Sequence, residues 1–288
     1  MVSAHIKYLL RILKKLRILD LLNVRVAIKI EGHKFIVPIC NDNGWSYLFD
    51  TEPWMINLLK ELIFSMNEKA MFIDVGANIG QTLLKVKAIS PQISYLGFEP
   101  NPSCIAYVYR LIDLNGLGNT ELLPFGISDH TGLGTLQFYS QSDTDSSASI
   151  VANFREQKSA KNMYVPVIEP SNVPMFMKNK LGILKIDTEG SELEVLERFE
   201  DLIQRDLPFI ICEILPAYKE GSERHRRQLA VQRLIRRLKY NMHRIQLNGE
   251  LVPIQNFEIY NDLSQSNYLF VPPYISSSNE LFNKIREA

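Results

Sequence analysis

The chain has 288 residues, 46% of them apolar and 22% charged, which allows one substantial core and excludes a disordered polymer. Lysine plus arginine equals aspartate plus glutamate at 32 each, so the zero net charge gives no global case for a nucleic acid partner. The three cysteines, Cys40, Cys104 and Cys212, are scattered without a C-x-x-C pair; this excludes a zinc ribbon or disulfide framework and fits a reducing, cytoplasmic compartment.

In chain order, "HIKYLLRILKKLRILDLL" (5–22) is apolar and basic together, with Lys7, Arg11, Lys14, Lys15 and Arg17 interrupting any clean apolar run. That pattern supports neither a spanning helix nor a signal peptide. Leu9, Leu10, Leu13, Leu16 and Leu21 share a broad stripe. Two readings stay open: a helix packed on its own domain, or one lying on an anionic membrane surface. "VRVAIKIEGHKFIVPI" (24–39) reads as a hairpin turning at Glu31–Gly32. "DTEPWMINLLKELIF" (50–64) reads as a helix with an early Pro53. Residues 1–66 are therefore expected as an accessory region before a main domain at 67–288.

From residue 71 the rhythm becomes strand–helix–strand. "AMFIDV" is a buried strand, followed by a helix over roughly 79–89, a strand "SYLGFE" (94–99) and a helix at 103–116. "TELLPFGIS" (120–128) and "GTLQFYS" (134–140) are read as the third and fourth strands. Residues 181–187, 207–215, 243–248 and 267–272 supply the others, the last entering antiparallel. This alternation predicts a mostly parallel sheet with helices on both faces. Residues 141–166 break the rhythm as a serine-rich loop insertion or a lid. A basic amphipathic stretch at 223–240, with Val231, Leu234, Ile235, Leu238 and Met242 in helical spacing, reads as a crossover helix with a solvated cationic face.

The chemistry concentrates at strand ends. "FIDVGANIG" (72–80) turns from strand to helix through Gly76 and Gly80, a G-x-x-x-G spacing one glycine short of the dinucleotide fingerprint. A nicotinamide-dependent oxidoreductase is thereby disfavoured. Ligands of open parallel sheets sit beyond the carboxyl ends of the strands, where Asp74, Glu99 and Asp187 fall. Glu99 follows Asp74 by one strand–helix–strand step, which sets a carboxylate beside the glycine turn, where it can accept from a ribose diol. Ser191 and Glu194 read as a capping box for the helix after Asp187. Capping leaves the pair Asp187 and Glu189 unexplained.

"FIDVGANIG" with "GFEPNP" (97–102) resembles the first motifs of class I S-adenosylmethionine-dependent methyltransferases. "LKIDTEGSELEVL" (184–196), "GISD" (126–129), the serines at 146–149, "IICEIL" (210–215) and "SNYLFVP" (266–272) resemble the FkbM-type family among them. The resemblance implies a Rossmann-like, mostly parallel seven-stranded sheet with one antiparallel strand, here preceded by a helix and hairpin.

It also implies S-adenosylmethionine as cofactor. Asp74, Gly76 and Gly80 would border its methionine part, with Asn78 in the same loop. Glu99 would hold the ribose with Asn101 beside it, and Ser128 and Asp129 would stand near the adenine. The implied reaction is methyl transfer to a hydroxyl of a sugar, glycolipid or secondary metabolite, free or lipid-linked. Amine or carboxyl acceptors, and a non-catalytic cofactor-binding module, stay open.

Proton removal from the acceptor calls for a base near the methyl group. Asp187 is the first choice, Glu189 and Glu213 follow, and Lys185 would keep the cluster ionised. Carboxylates suit magnesium or calcium, but no histidine joins this group in sequence and no metal is assigned. His33 is a weak candidate for the acceptor side.

Overall fold

The computed structural model describes residues 4–275 apart from 17, 41–42, 50–51, 68, 152–153, 156 and 261. Arg17, the start of the segment read from Asp50, and residues 276–288 of the expected main domain lie outside these. Helices α1 (Ala4–Lys15) and α2 (Leu19–Leu22) precede a hairpin of β1 (Val24–Ile30) and β2 (His33–Ile39), and then α3 (Trp54–Ser65). The main body runs β3 (Ala70–Val75), α4 (Gln81–Ile89), β4 (Ser94–Phe98), α5 (Pro102–Asn115) and β5 (Thr120–Leu123). Next come β6 (Gly126–Ile127), β7 (Gly132–Phe138), β8 (Lys161–Ile168), α6 (Met175–Lys178) and β9 (Lys180–Ile186). It closes with α7 (Glu192–Arg198), α8 (Glu200–Asp206), β10 (Phe209–Glu213), α9 (Glu223–Arg237), β11 (Asn241–Ile245), β12 (Leu251–Ile254) and β13 (Asn267–Val271).

Eight strands form the main sheet in the order β12-β11-β13-β10-β9-β3-β4-β5. The five from β10 to β5 are parallel, and β13 enters antiparallel between β10 and β11. This is the Rossmann-like class I methyltransferase arrangement, with β12 added at one edge as an eighth strand. The central strand β3 is buried along its whole length, as a parallel strand covered on both faces must be. Phe72, Tyr95, Ile183, Ile211 and Leu269 face the layer of α3, α4 and α5. Ile73, Phe98, Leu184, Ile186 and Phe270 face α7, α8 and α9. Helix α3, inside the region read as accessory, packs directly on the sheet through Met55, Leu58, Leu59 and Leu62.

The hairpin, Leu10 and Leu19 form a third core against the outer sides of α4 and α5. Local chemistry fixes the frame: α5 starts at Asn101, whose side chain accepts from the Ser103 N–H at 3.0 Å, has Pro102 in its first turn, and stops at a left-handed Gly116.

Four expectations need correction. The strand read over 120–128 is two strands: β5 belongs to the main sheet, and β6 pairs with β8 in a separate three-stranded sheet. Pro124 sits at the break, where it has no N–H to continue a ladder. The strand read at 134–140 is β7 of that small sheet, and the stretch read as loop or lid ends in β8. Lastly, Met242 lies on β11 rather than on the α9 face. Helix α9 otherwise packs as read, burying Val231, Leu234 and Ile235 and pairing Arg237 with Glu200.

Candidate active site

The carboxyl ends of β3, β4, β9 and β10 surround a cavity of about 490 Å³, within the usual range for small-molecule sites. At its base the chain turns from β3 into α4 through Gly76 (φ +87°), Asn78 (φ +45°) and Gly80 (φ +85°). A Cβ on Gly76 would stand 1.8 Å from the Asp187 carbonyl oxygen, so only glycine lets this turn pass the end of β9. The Gly76 and Ala77 N–H groups both donate to the Phe98 carbonyl, at 2.9 and 3.0 Å, tying the turn to β4.

Glu99 follows β4 and folds back under the turn. Its two oxygens accept from the Asn78 and Asn101 N–H groups, each at 2.8 Å. Burial pushes its carboxyl up to about 7 against the pull of those two donors. A carboxylate has about four acceptor positions, so two remain for a ligand in the cavity it lines.

Asp74 has a different place from the one the sequence suggested. It is fully buried and absent from the cavity lining. It faces Lys185 across the β3–β9 pair and Gly97 across the β3–β4 pair. Because Gly97 has no side chain, the Tyr95 ring spreads over that position and its hydroxyl donates to Asp74 Oδ2 at 2.5 Å. Lys185 Nζ bridges Asp74 Oδ1 and Asp187 Oδ2, each at 3.2 Å. Burial drives the Lys185 ammonium down, but the charges of Asp187 and Asp74 outweigh this and hold it above the ordinary lysine range. Burial likewise keeps Asp74 above the usual carboxylate value despite Lys185 and Tyr95.

Asp187, Glu189 and Glu213 converge in the same cavity, with one oxygen from each lying within 4.8 Å of the others. Burial pushes Asp187 up, but Lys185 and a hydrogen bond from Glu213 bring it below the usual range. Glu213 is pushed well up by burial and by the Asp187 charge, so it holds the proton between them. Its Oε1 accepts from Ser266 at 2.9 Å. Glu189 is raised to about 7 by burial first and then by Asp187, against the pull of Arg155, whose Nη2 lies 2.6 Å from its Oε2. Its backbone is left-handed (φ +55°), a costly conformation that functional turns tolerate. The trio is close enough to hold a divalent cation. Lys185, Arg155 and the shared proton already offset its charge.

Four positions of the expected cofactor set, Gly76, Asn78, Glu99 and Asn101, line the cavity, as do Lys185, Asp187, Glu189 and Glu213. Gly80 packs behind the turn on Leu111 and Val108. Ser128 and Asp129 lie outside the lining on an exposed turn, hydrogen-bonded to each other and to His130. Phe125, Ile127, Leu136 and Ile150 line the adjoining apolar wall.

The segment read as a loop insertion or a lid lines the cavity through Ser142, Thr144, Asp145, Ser146 and Ala148, forming its roof, and the sequence missed one wall, where Ser46 and Glu52 enter from the N-terminal region. The roof is folded around Asp145, which accepts from the Tyr139, Ser140 and Ser147 N–H groups at 2.8, 2.7 and 3.0 Å. It is fastened by Asn101 Nδ2 to the Asp143 carbonyl at 2.8 Å and by Thr144 to Asn43. The serine run was the available signal for this loop, whereas Tyr95 gave none. The expected capping box also differs: Ser191 makes no capping bond. Glu192 instead accepts from the Gly190 N–H at 2.8 Å, and Glu194 pairs with Arg227. His33 is exposed on the hairpin and apart from the lining.

Comparison with known proteins returns one family over most of this region. The methyltransferase FkbM domain matches residues 74–261, more than half of the chain. Among characterised sequences, Methyltransferase 1 of Beauveria bassiana is 24% identical over 149 residues, covering 46% of this chain and 60% of that protein. Methyltransferase sdnD of Sordaria araneosa is 25% identical over 165 residues, covering 48% and 64%. The chain thus spans less than two thirds of the length of these two relatives. A crystal structure of methyltransferase FkbM from Methylobacillus flagellatus overlaps 70% of this chain and 44% of its own at 15% identity and a TM-score of 0.44. The glycine turn, Glu99 and the acidic trio all lie within the matched span, and the chain belongs to the FkbM methyltransferase domain family, whose cofactor is S-adenosylmethionine.

Proposed function

We propose that this protein transfers a methyl group from S-adenosylmethionine to a hydroxyl of a sugar, glycolipid or secondary metabolite. The observation that carries the reading is one cavity lined both by the Gly76 turn and Glu99 and by the cluster of Asp187, Glu189 and Glu213.

The residues present suit the cofactor. Glu99 keeps acceptor positions for a ribose diol, and Phe125, Ile127, Leu136 and Ile150 offer an apolar face for adenine. Ser46 and Ser191 carry buried hydroxyls with no partner among the described residues, and both line the cavity. Buried polar groups are ordinarily paired, so these two are suited to a polar ligand.

Bound S-adenosylmethionine would supply an already electrophilic methyl group, leaving the protein to align the acceptor and take its proton. Asp187 is a poor proton acceptor here, since Lys185 and the Glu213 proton occupy its oxygens. Glu189 is better suited: raised to about 7, it is poised for base catalysis at neutral pH. We therefore move the base from Asp187 to Glu189, with Asp187 and Glu213 orienting the acceptor hydroxyl. A hydroxyl acceptor suits a base raised to about 7, since its proton must leave as the ether forms.

The test is calorimetry with S-adenosylhomocysteine followed by methyl transfer from labelled cofactor to hydroxylated acceptors. Heat of binding and label in an ether are expected, with Glu189→Gln losing transfer while retaining binding. Folded, ligand-stripped protein that gives no heat would overturn the reading.

A further inference from the structure

Among the described residues no helix is long and apolar enough to cross a membrane. Helix α1 nevertheless carries more apolar surface than its own core uses. Leu10 is buried, and Leu13 packs on the same cluster with Leu19 and the hairpin. Leu9, Ile12 and Leu16 follow at spacings of three and four, and they remain 56%, 40% and 61% exposed, beside Tyr8 at 67%. A ridge of three large aliphatic side chains on one helical face is costly in water without a partner.

The charge around this ridge is one-sided. Helix α1 holds Lys7, Arg11, Lys14 and Lys15 and no acidic residue. The first 40 residues of the sequence hold eight lysines and arginines against Asp20 and Glu31. The rest of the chain therefore has 24 basic and 30 acidic residues, so its neutrality conceals a strongly polarised molecule. The outer face of the hairpin continues the positive surface with Arg25, Lys29 and Lys34, all exposed.

We propose that α1 is a docking surface that lies in the headgroup region of an anionic lipid bilayer. Leu9, Ile12 and Leu16 would enter the acyl boundary, Tyr8 would sit at headgroup level, and Arg11 and Lys15 would meet lipid phosphates. The apolar ridge favours a bilayer over a nucleic acid, which would use the cations but not the leucines. The helix is clamped to the body rather than tethered. Lys7 lies over the Phe49 ring at 4.6 Å and Lys14 over the Trp45 ring at 5.0 Å. Ser46, which follows Trp45 in the short helical turn leading to Phe49, lines the cavity. A bilayer under α1 would thus lie beside the segment that forms the N-terminal wall of the site. The inference uses nothing of the site's chemistry and stands or falls separately from methyl transfer.

The test is cosedimentation of the full chain with vesicles of phosphatidylcholine alone or mixed with phosphatidylglycerol. Binding is expected to the mixed vesicles, weak to the neutral ones, and reduced by salt through screening. Leu9→Glu/Leu16→Glu and, separately, Arg11→Glu/Lys15→Glu should each weaken binding by at least about tenfold, since burying one leucine is worth roughly that factor. Unchanged thermal unfolding of these exposed-site variants would show that the fold is intact. Absent binding to anionic vesicles, or binding by either variant as tight as that of the unsubstituted chain, would overturn the proposal. So would light scattering that shows a dimer broken by Leu9→Glu/Leu16→Glu with no vesicle association, because the ridge would then belong to a second copy.

Discussion

Gly76 and Asp187, 111 residues apart in sequence, meet where β3 and β9 end: the space a Gly76 Cβ would need is held by the Asp187 carbonyl oxygen at 1.8 Å. The glycine turn and the acidic cluster are thus set beside each other by one backbone contact. Gly76→Ala must push the strand ends apart and also adopt φ +87°. A loss of about 2–4 kcal/mol is expected, seen as a lower denaturation midpoint, with cofactor affinity falling further than stability. An alanine variant with native stability and affinity would show that the contact is dispensable.

The Asp74–Lys185 pair should behave as a buried structural ion pair. Lys185→Met leaves Asp74 buried without its cation and is expected to cost about 3–5 kcal/mol. Adding Asp74→Asn should restore part of that loss, so a double-mutant cycle in urea will show strong coupling. Tyr95→Phe should cost about 1–3 kcal/mol by removing a buried donor to Asp74.

Glu99 predicts opposite pH trends for stability and for cofactor binding. Its carboxyl goes from 4.5 when unperturbed to about 7 in the fold. Between these values the native state holds a proton that the unfolded chain has released, so this group's contribution to stability falls as pH rises through that window. Cofactor affinity should instead rise as pH approaches and passes 7, because ribose hydroxyls donate best to the ionised form. Glu99→Gln should flatten both trends. Parallel urea titrations and calorimetry from pH 5 to about 8 will read them, spanning the window set by the shift.

At saturating cofactor and acceptor, kcat should rise with pH through an apparent pKa near 7 that belongs to Glu189. Glu189→Gln should remove that limb and lower kcat about 10²–10⁴-fold. Asp187→Asn should act chiefly on acceptor KM. If Asp187→Asn instead abolishes the limb, the base is Asp187.

The adenine wall gives a further prediction. Ser128→Ala and Asp129→Ala alter an exposed turn outside the cavity and should leave cofactor affinity unchanged. Ile150→Asp places a charge on the apolar lining and should weaken affinity by at least about tenfold. Calorimetry on the three variants separates the two locations.

Much of the frame was legible in the letters. The apolar run ending in Asp74, the glycine turn and the strand–helix rhythm encode a parallel sheet locally, because strand burial and turn geometry depend on neighbouring residues. The approach of Asp187, Glu189 and Glu213 was legible too, since all three end adjacent parallel strands or follow them closely. Asp74 was legible as important but not in its role. Whether it faces the ligand or the interior depends on β3–β9 register, and that register is absent from either strand alone.

Ser128 and Asp129 show the same limit differently. The family resemblance set them near the adenine, whereas the break at Pro124 moves residues 126 and 127 into another sheet and leaves these two outside the cavity lining. The roof residues Ser142 to Ile150 were legible as a loop insertion or a lid but not as particular lining residues, because a loop's position follows from where its ends are anchored. Sequence by itself determined the elements, the family and the residue types available for chemistry, since these rest on local pattern. Tertiary structure decided which carboxylate keeps its proton and which stays charged, because burial and the distance to Lys185 or Arg155 exist only once distant strands are side by side.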